Sequence, residues 1–219
     1  TGHVTTSLDL QLVPSVADAW RDEADGGPAR SLAEAASLHA SGMRVVALTN
    51  SPLHTEILDP ERVAAAVNAG RRGFDFIVVD CHPSYSHLNQ AIFAVSDRIL
   101  VPVTPDVPAL RATVQLREVA AELGVGERLA LVVNRANSGV SVEDIERTVG
   151  MPALALIRST GLLFLRAANE GKTIVERYPR EKATHDFDTL AERVIGAGRP
   201  AGAPRAAFGL FGRKEPVQV

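Results

Sequence analysis

"FDFIVVDCHP", residues 74–83, is the stretch on which the reading of this chain turns. Phe74, Phe76, Ile77, Val78 and Val79 run into Asp80, and Cys81-His82-Pro83 then turns the chain. A near-continuous apolar run, rather than an alternating one, is what a strand covered on both faces of a parallel sheet needs. "MRVVAL" (43–48), "DRILVPVT" (97–104) and "RLALVVN" (128–134) have the same character, and "ALALI" (153–157) is a shorter version. Each is expected to be a buried strand.

Helical patterns separate these runs. "DPERVAAAVNAGRR" places Asp59 as N-cap and Pro60 at the first helical position. "PALRATVQLREVAAELG" stops on Gly124, a C-cap residue. "SVEDIERTVG" opens with a Ser-x-x-Asp box and closes on Gly150. "TGLLFLRAANEG" and "ATHDFDTLAERVIG" read as two more helices. Strands alternating with helices at this spacing predict a doubly wound α/β domain with a mostly parallel sheet. Before the first strand, "SVADAWRDEA" and "ARSLAEAASLHA" read as two short helices around a Gly-Gly-Pro break. After residue 195, "GAGRPAGAPRAAFGLFGRKEPVQV" (196–219) reads as a flexible tail.

Bulk composition narrows the function classes. The 219 residues are 46% hydrophobic and 22% charged, the ordinary globular mix. Aromatics are only 5%, so Val, Leu, Ile and Ala must build the core. A net charge of −3 gives no electrostatic footprint for direct nucleic-acid binding. A single cysteine, Cys81, excludes an internal disulfide and fits a reducing cytosol, so a cytoplasmic location is expected. No apolar run reaches the ~20 residues of a membrane helix.

In an open parallel sheet, ligands collect beyond the carboxyl ends of the strands. Those ends carry Asp80-Cys81-His82, Thr104-Pro105-Asp106 and Asn134-Arg135. Asp80 could hold a Mg2+-bound water beside a phosphate, or simply cap the following turn. Asn134 could offer a donor and an acceptor to a purine edge, or merely open the turn "RANSGV". Cys81, His82 and His87 supply too few ligands for a structural zinc site, and residues adjacent in sequence rarely form a Cys-His nucleophile pair. "EGKT" (170–173) resembles the end of a P-loop, but Arg166 stands where that motif needs glycine. A helix precedes it and "IVERYP" does not read as a helix start, so Lys172 is expected to be a solvated surface charge.

Taken in order, "GFDFIVVDCHPSYSHLNQAIFAVSDRILVPVTPDVPALR", "LALVVNRANSGVSVEDIERTVGMPALALI" and "LRAANEGKTIVERYPR" resemble the MinD/ParA family of deviant Walker P-loop ATPases. Within that family the chain most resembles the Cpa/TadZ type of tight-adherence pilus assembly. The resemblance covers most of residues 2–195, and residues 1–195 are taken as the ATPase domain, incomplete at its N-terminus. It implies that Asp80 is the switch II or Walker B carboxylate, acting on Mg2+ through water. It implies that Asn134 contacts adenine with Arg135 beside it, and that Ile157 and Arg158 line the base. Arg158 stands where the family often has proline. His3 falls at the family's switch I aspartate.

Members of the family bind ATP with Mg2+, dimerise across it, hydrolyse it and position cellular machinery such as pilus or polar-localisation proteins. A homodimer and an inner-face membrane location follow as expectations. Other readings stay open: a non-catalytic scaffold of the same fold, a partitioning-type ATPase, or an unrelated α/β enzyme using Asp80, Cys81 and His82. The family's lysine-rich phosphate loop is not found in the sequence. By the resemblance it belongs to a first βαβ portion N-terminal to Gly2, so the fold is expected to lack that portion and the chain alone to be inactive. "AAFGLFGRK" (206–214) reads either as a weak membrane-surface contact or as plain tail.

Overall fold

The computed structural model describes residues 3–10, 15–27, 31, 32 and 34–197. The tail from 198 onward, with its 206–214 stretch, and Gly2 lie outside the described residues.

The N-terminal part is helix α1 (His3–Ser7) followed by α2 (Val16–Ala24). Ser15 caps α2 reciprocally: its hydroxyl accepts from the Asp18 N–H, and the Asp18 carboxylate accepts from the Ser15 N–H and hydroxyl. The expected helix over 29–40 does not form across the described residues 34–40. Ser31 and Glu34 close a single turn. The chain then enters β1 (Ser37–Leu38), which pairs antiparallel with β2 (Arg44–Val45). Gly42, at φ +88°, supplies the left-handed residue that this reversal needs.

Of the expected strand 43–48, only Arg44 and Val45 enter a ladder. The carbonyls of Ala47 and Leu48 instead accept the N–H groups of Val16 and Ala17, at the start of α2. α2 thus satisfies two of its otherwise unpartnered first-turn donors.

Helix α3 (Pro60–Gly70) begins behind Asp59 as predicted, with the Asp59 carboxylate accepting from the Arg62 N–H at 2.7 Å. Residues 74–80, the stretch that announced the fold, do not pair. Among the described residues, 75–81 make no backbone hydrogen bond. A strand is held by its neighbours, and no described segment lies against either edge of this one. One side of it is nonetheless anchored. Val79 and Cys81 pack on the cluster of Val16, Ala17, Trp20, Leu58, Val63 and Ile92. Phe76 and Val78 face the other way and are 59% and 89% exposed.

Helix α4 (His87–Val95) follows, capped by Ser86. It leads to β3 (Ile99–Val103), α5 (Val107–Glu122), β4 (Leu129–Asn134), α6 (Val142–Val149) and β5 (Ala153–Ile157). Three of the five expected strands therefore form the sheet, parallel and in the order β3-β4-β5. Leu131 and Val133 of β4 are fully buried and pack with Val103, Leu110, Ile145 and Val149 under α5 and α6. The chain ends with α7 (Leu163–Asn169), α8 (Ile174–Arg177) and α9 (Lys182–Ala197), the last packed on β5.

The α8 start corrects the sequence reading of "IVERYP". Thr173 N-caps this helix in a capping box with Glu176, so its hydroxyl is already engaged. Lys172 is exposed, as expected of a surface charge.

Helix α4 links the two halves. Its Leu88 and Ile92 belong to the α2–α3 cluster, while its Phe93 packs on Ile99 and Val101 of β3. Arg128, just ahead of β4, donates to the carbonyls of Phe93, Ala94 and Ser96 at 2.9–3.3 Å. That satisfies the open C-terminal carbonyls of α4 with a cation, which the helix dipole favours there.

Candidate functional site

The site edge is the carboxyl end of β3, β4 and β5, where the loops that leave the strands are laced to one another. After β3, Asp106 caps the 16-residue α5, accepting from the Ala109 N–H at 3.0 Å and from the Thr104 hydroxyl. These two bonds, and the nearby Arg135 guanidinium, hold the Asp106 carboxyl below its ordinary pKa. After β4, Arg135 sits at φ +57°, a left-handed conformation uncommon for a residue with a Cβ. Its carbonyl accepts from the N–H and hydroxyl of Ser138.

The same loop crosses to β3. The Val140 N–H donates to the Pro105 carbonyl at 3.1 Å. A Cβ on Gly139 would stand 2.1 Å from that carbonyl oxygen, so only glycine allows the approach. On the other side the Ala136 N–H donates to the Ile157 carbonyl at 3.0 Å. Asn137 clamps the Ser159 backbone, its Oδ1 accepting from the N–H at 2.7 Å. Asn134 therefore leaves the sheet between two braced loops. Its side chain is exposed and makes no hydrogen bond among the described residues, leaving both halves of the amide available.

Asp80 is likewise exposed, with no hydrogen bond or ion pair to a described residue. A free carboxylate at the end of an extended segment suits a water-mediated Mg2+ contact. The Cys81 thiol beside it is half-buried, and burial first, then the Asp80 charge, raise its pKa. It is held as a thiol rather than activated as a nucleophile.

The remaining expected site residues are placed differently. The Ile157 side chain is buried in the core, so it presents only backbone to the edge. Arg158 is committed to α9. Its Nε and Nη2 donate to the two carboxylate oxygens of Asp186 at 2.7 and 2.9 Å, and its N–H donates to Asp186 at 3.0 Å. This pairing holds the Asp186 carboxyl below its ordinary value. A shallow cavity of about 400 Å³ lies beside the pair, lined also by Asn137, Leu156, Thr189 and Arg193. His3 opens α1, and its side chain lies outside what is described.

Sequence reasoning missed Asn137 and Asp186. Asn137 sat inside a turn pattern that explained it too easily. Asp186 meets Arg158 only because α9 folds back across β5, 28 residues later in sequence.

Three comparisons with known proteins bear on this geometry. A family model described as "AAA domain" matches residues 28–125, a span that includes Asp80 and Thr104–Asp106 and stops short of Asn134. The septum site-determining protein MinD of Helicobacter pylori is 27% identical over 153 residues, covering 64% of this chain and 56% of that protein. The sporulation initiation inhibitor protein Soj of Bacillus subtilis is 26% identical over 147 residues, covering 63% and 58%. The chain thus spans a little over half the length of these curated relatives.

Among solved structures, a ParA family ATPase from Chlorobium tepidum superposes with a TM-score of 0.72 at 18% identity, over 84% of this chain and 76% of that one. MinD of Pyrococcus horikoshii, solved with Mg-ADP, gives 0.69 at 18%, over 87% and 77%. The fold is that of these ParA and MinD structures.

Proposed function

We propose that the chain supplies the base side and the Mg2+ side of a MinD/ParA-like ATP site. The observation that carries this is the cross-braced strand edge. Asn134 stands free between two hydrogen-bonded loops, and Asp80 stands free at the end of the extended segment 74–80. Asn134 would bond the adenine edge, while Asp80 would hold a water of the Mg2+ shell. The metal would neutralise charge on the phosphates, the largest need in phosphoryl transfer. Arg158, taken up by Asp186, would shape the base pocket from behind rather than touch the base.

The phosphate side would come from a further strand and glycine-rich loop, seated between residues 74–80 and β3. Support for this lies in the unpaired backbone of 75–81, the exposed Phe76 and Val78, and the open outer edge of β3. With both halves present, the protein would bind Mg2+·ATP, dimerise across it and position cellular machinery, with pilus assembly or polar localisation as the favoured process. Partners would be a second copy and the proteins so positioned. It would work in the cytoplasm at the inner face of the membrane. No helix among the described residues is long and apolar enough to cross one.

The test is adenosine binding and ATP turnover by the 219-residue chain. Weak adenosine binding that Asn134→Ala abolishes and Asp80→Ala spares is expected, with no turnover. Adenosine binding indifferent to Asn134 would remove the base assignment. Mg2+-dependent hydrolysis lost in Asp80→Ala would place the phosphate machinery inside these residues.

A further inference from the structure

The loop between Asp80 and α4 is held by one buried side chain. Asn89, the third residue of α4, is 5% exposed. Its Nδ2 donates to the carbonyls of His82 and Ser84, both at 2.7 Å. Facing two carbonyl oxygens, that atom has to be the amide nitrogen rather than the oxygen. The loop's other carbonyls are drawn the same way. His82 O also accepts from the Ser84 N–H, Tyr85 O accepts from the Gln90 side chain, and Ser86 O accepts from the Gln90 N–H. The turn that follows Asp80 is thereby gathered onto the first turn of α4.

The far end of α4 is fixed independently. Arg128 takes three of its terminal carbonyls, and Arg71 takes that of Val95 while pairing with Asp97. Arg128 immediately precedes β4, the strand that ends at Asn134. A continuous set of hydrogen bonds and packed side chains therefore runs from the base of β4, through α4, to the loop behind Asp80.

We infer that Asn89 is a positioning residue. It sets the turn at 82–84 and so fixes where the Asp80 carboxylate stands relative to the sheet edge. Its role toward Mg2+ rests on the proposed ATP site; its role toward the loop does not. A buried amide is a costly group to keep in a core that Leu or Met could fill, and here both its donors are spent on the loop. Asn89→Ala removes those donors. Asn89→Asp keeps the shape but turns a carboxylate oxygen toward two carbonyls.

Cys81, the single cysteine and the neighbour of Asp80, reports on the loop. Its reaction rate with a disulfide reagent is expected to rise about tenfold in both variants, the worth of one or two net hydrogen bonds. Hydrogen exchange at 91–95 and in β4 should stay as in the parent. Unchanged Cys81 rates would overturn the inference. So would exchange that quickens equally throughout α4 and β4, because Asn89 would then be a general stabiliser.

The nucleotide arm uses a preparation of the protein that turns over Mg2+·ATP. There, Asn89→Ala is expected to lower kcat at unchanged KM for ATP. A faster Cys81 with unaltered kcat would refute the link to Mg2+ while leaving the loop geometry standing.

Discussion

Val78 and Val133 look alike in the sequence, each a valine near the end of an apolar run, yet the structure separates them. Val133 is 0% exposed in the middle of the parallel sheet, and Val78 is 89% exposed. Replacing each by threonine keeps the branched shape and exchanges one methyl for a hydroxyl. At Val133 the change removes roughly 0.8 kcal/mol of methyl burial and desolvates a hydroxyl, for a total of about 2 kcal/mol. At Val78 about nine-tenths of the side chain is already in water, so the cost falls within about 0.5 kcal/mol. In urea unfolding of the 219-residue chain, with a slope of about 2 kcal/mol per molar, Val133→Thr should lower the midpoint by about 1 M. Val78→Thr should leave it nearly unmoved. Equal shifts would mean that 74–80 is already packed on both faces, and the reasoning about an open place beside it would fail.

Two further outcomes are expected. Gly150→Ala should cost about 1–3 kcal/mol in the same unfolding assay, because the residue sits at φ +70° and its new Cβ would meet the Arg117 guanidinium at 2.1 Å, displacing the bond from Arg117 to the Val149 carbonyl. Ser15→Ala should cost about 1 kcal/mol at neutral pH by removing the α2 cap. It should also flatten the acid limb of the stability curve. The Ser15 hydroxyl and N–H lower the Asp18 pKa from 3.8, so this stabilisation is present above the unfolded value and is lost as pH falls through the folded one. A variant whose stability between pH 5 and 2 parallels the parent would contradict that assignment.

How far the sequence carries the structure depends on what each pattern encodes. An apolar run states that a segment needs burial on two faces; it does not state that the covering elements are at hand. Residues 97–104, 128–134 and 153–157 have neighbours and form the sheet, whereas 43–48 and 74–80 carry the same pattern and are left largely unpaired. Capping chemistry is local and was legible: Asp59, Ser141 and Gly150 stand at the helix ends predicted for them. Local propensity failed over the described residues 34–40, where alanines read as helix and the β1–β2 pairing prevailed. At the candidate site, the exposed positions of Asp80 and Asn134 were legible because each closes an apolar run in the sequence. The Arg158–Asp186 pair and the Asn89 clamp were not, since both depend on which surfaces the helices bring together.

The placement of α4 bears on whether Asp80 and Asn134 can serve one ligand. A helix with its side chains is about 10 Å across, and strands in a sheet lie about 4.8 Å apart. α4 packs at once on Val79–Cys81 and on β3, which do not pair with each other. One more strand seated between them would set the two segments two strand spacings apart, about 10 Å. In that arrangement, counting on through β3 to β4, Asp80 would stand about 14 Å from Asn134, a separation for an elongated ligand lying across the edge rather than a compact one. Phe76, Val78 and Leu100 all point away from α4, and all three are exposed. A strand alone would close the two edges and leave that face wet. A strand continuing into an amphipathic helix would close both, which is why the proposed completing element is a β–α unit, with its connecting loop at the edge where Asp80 and Asn134 already stand.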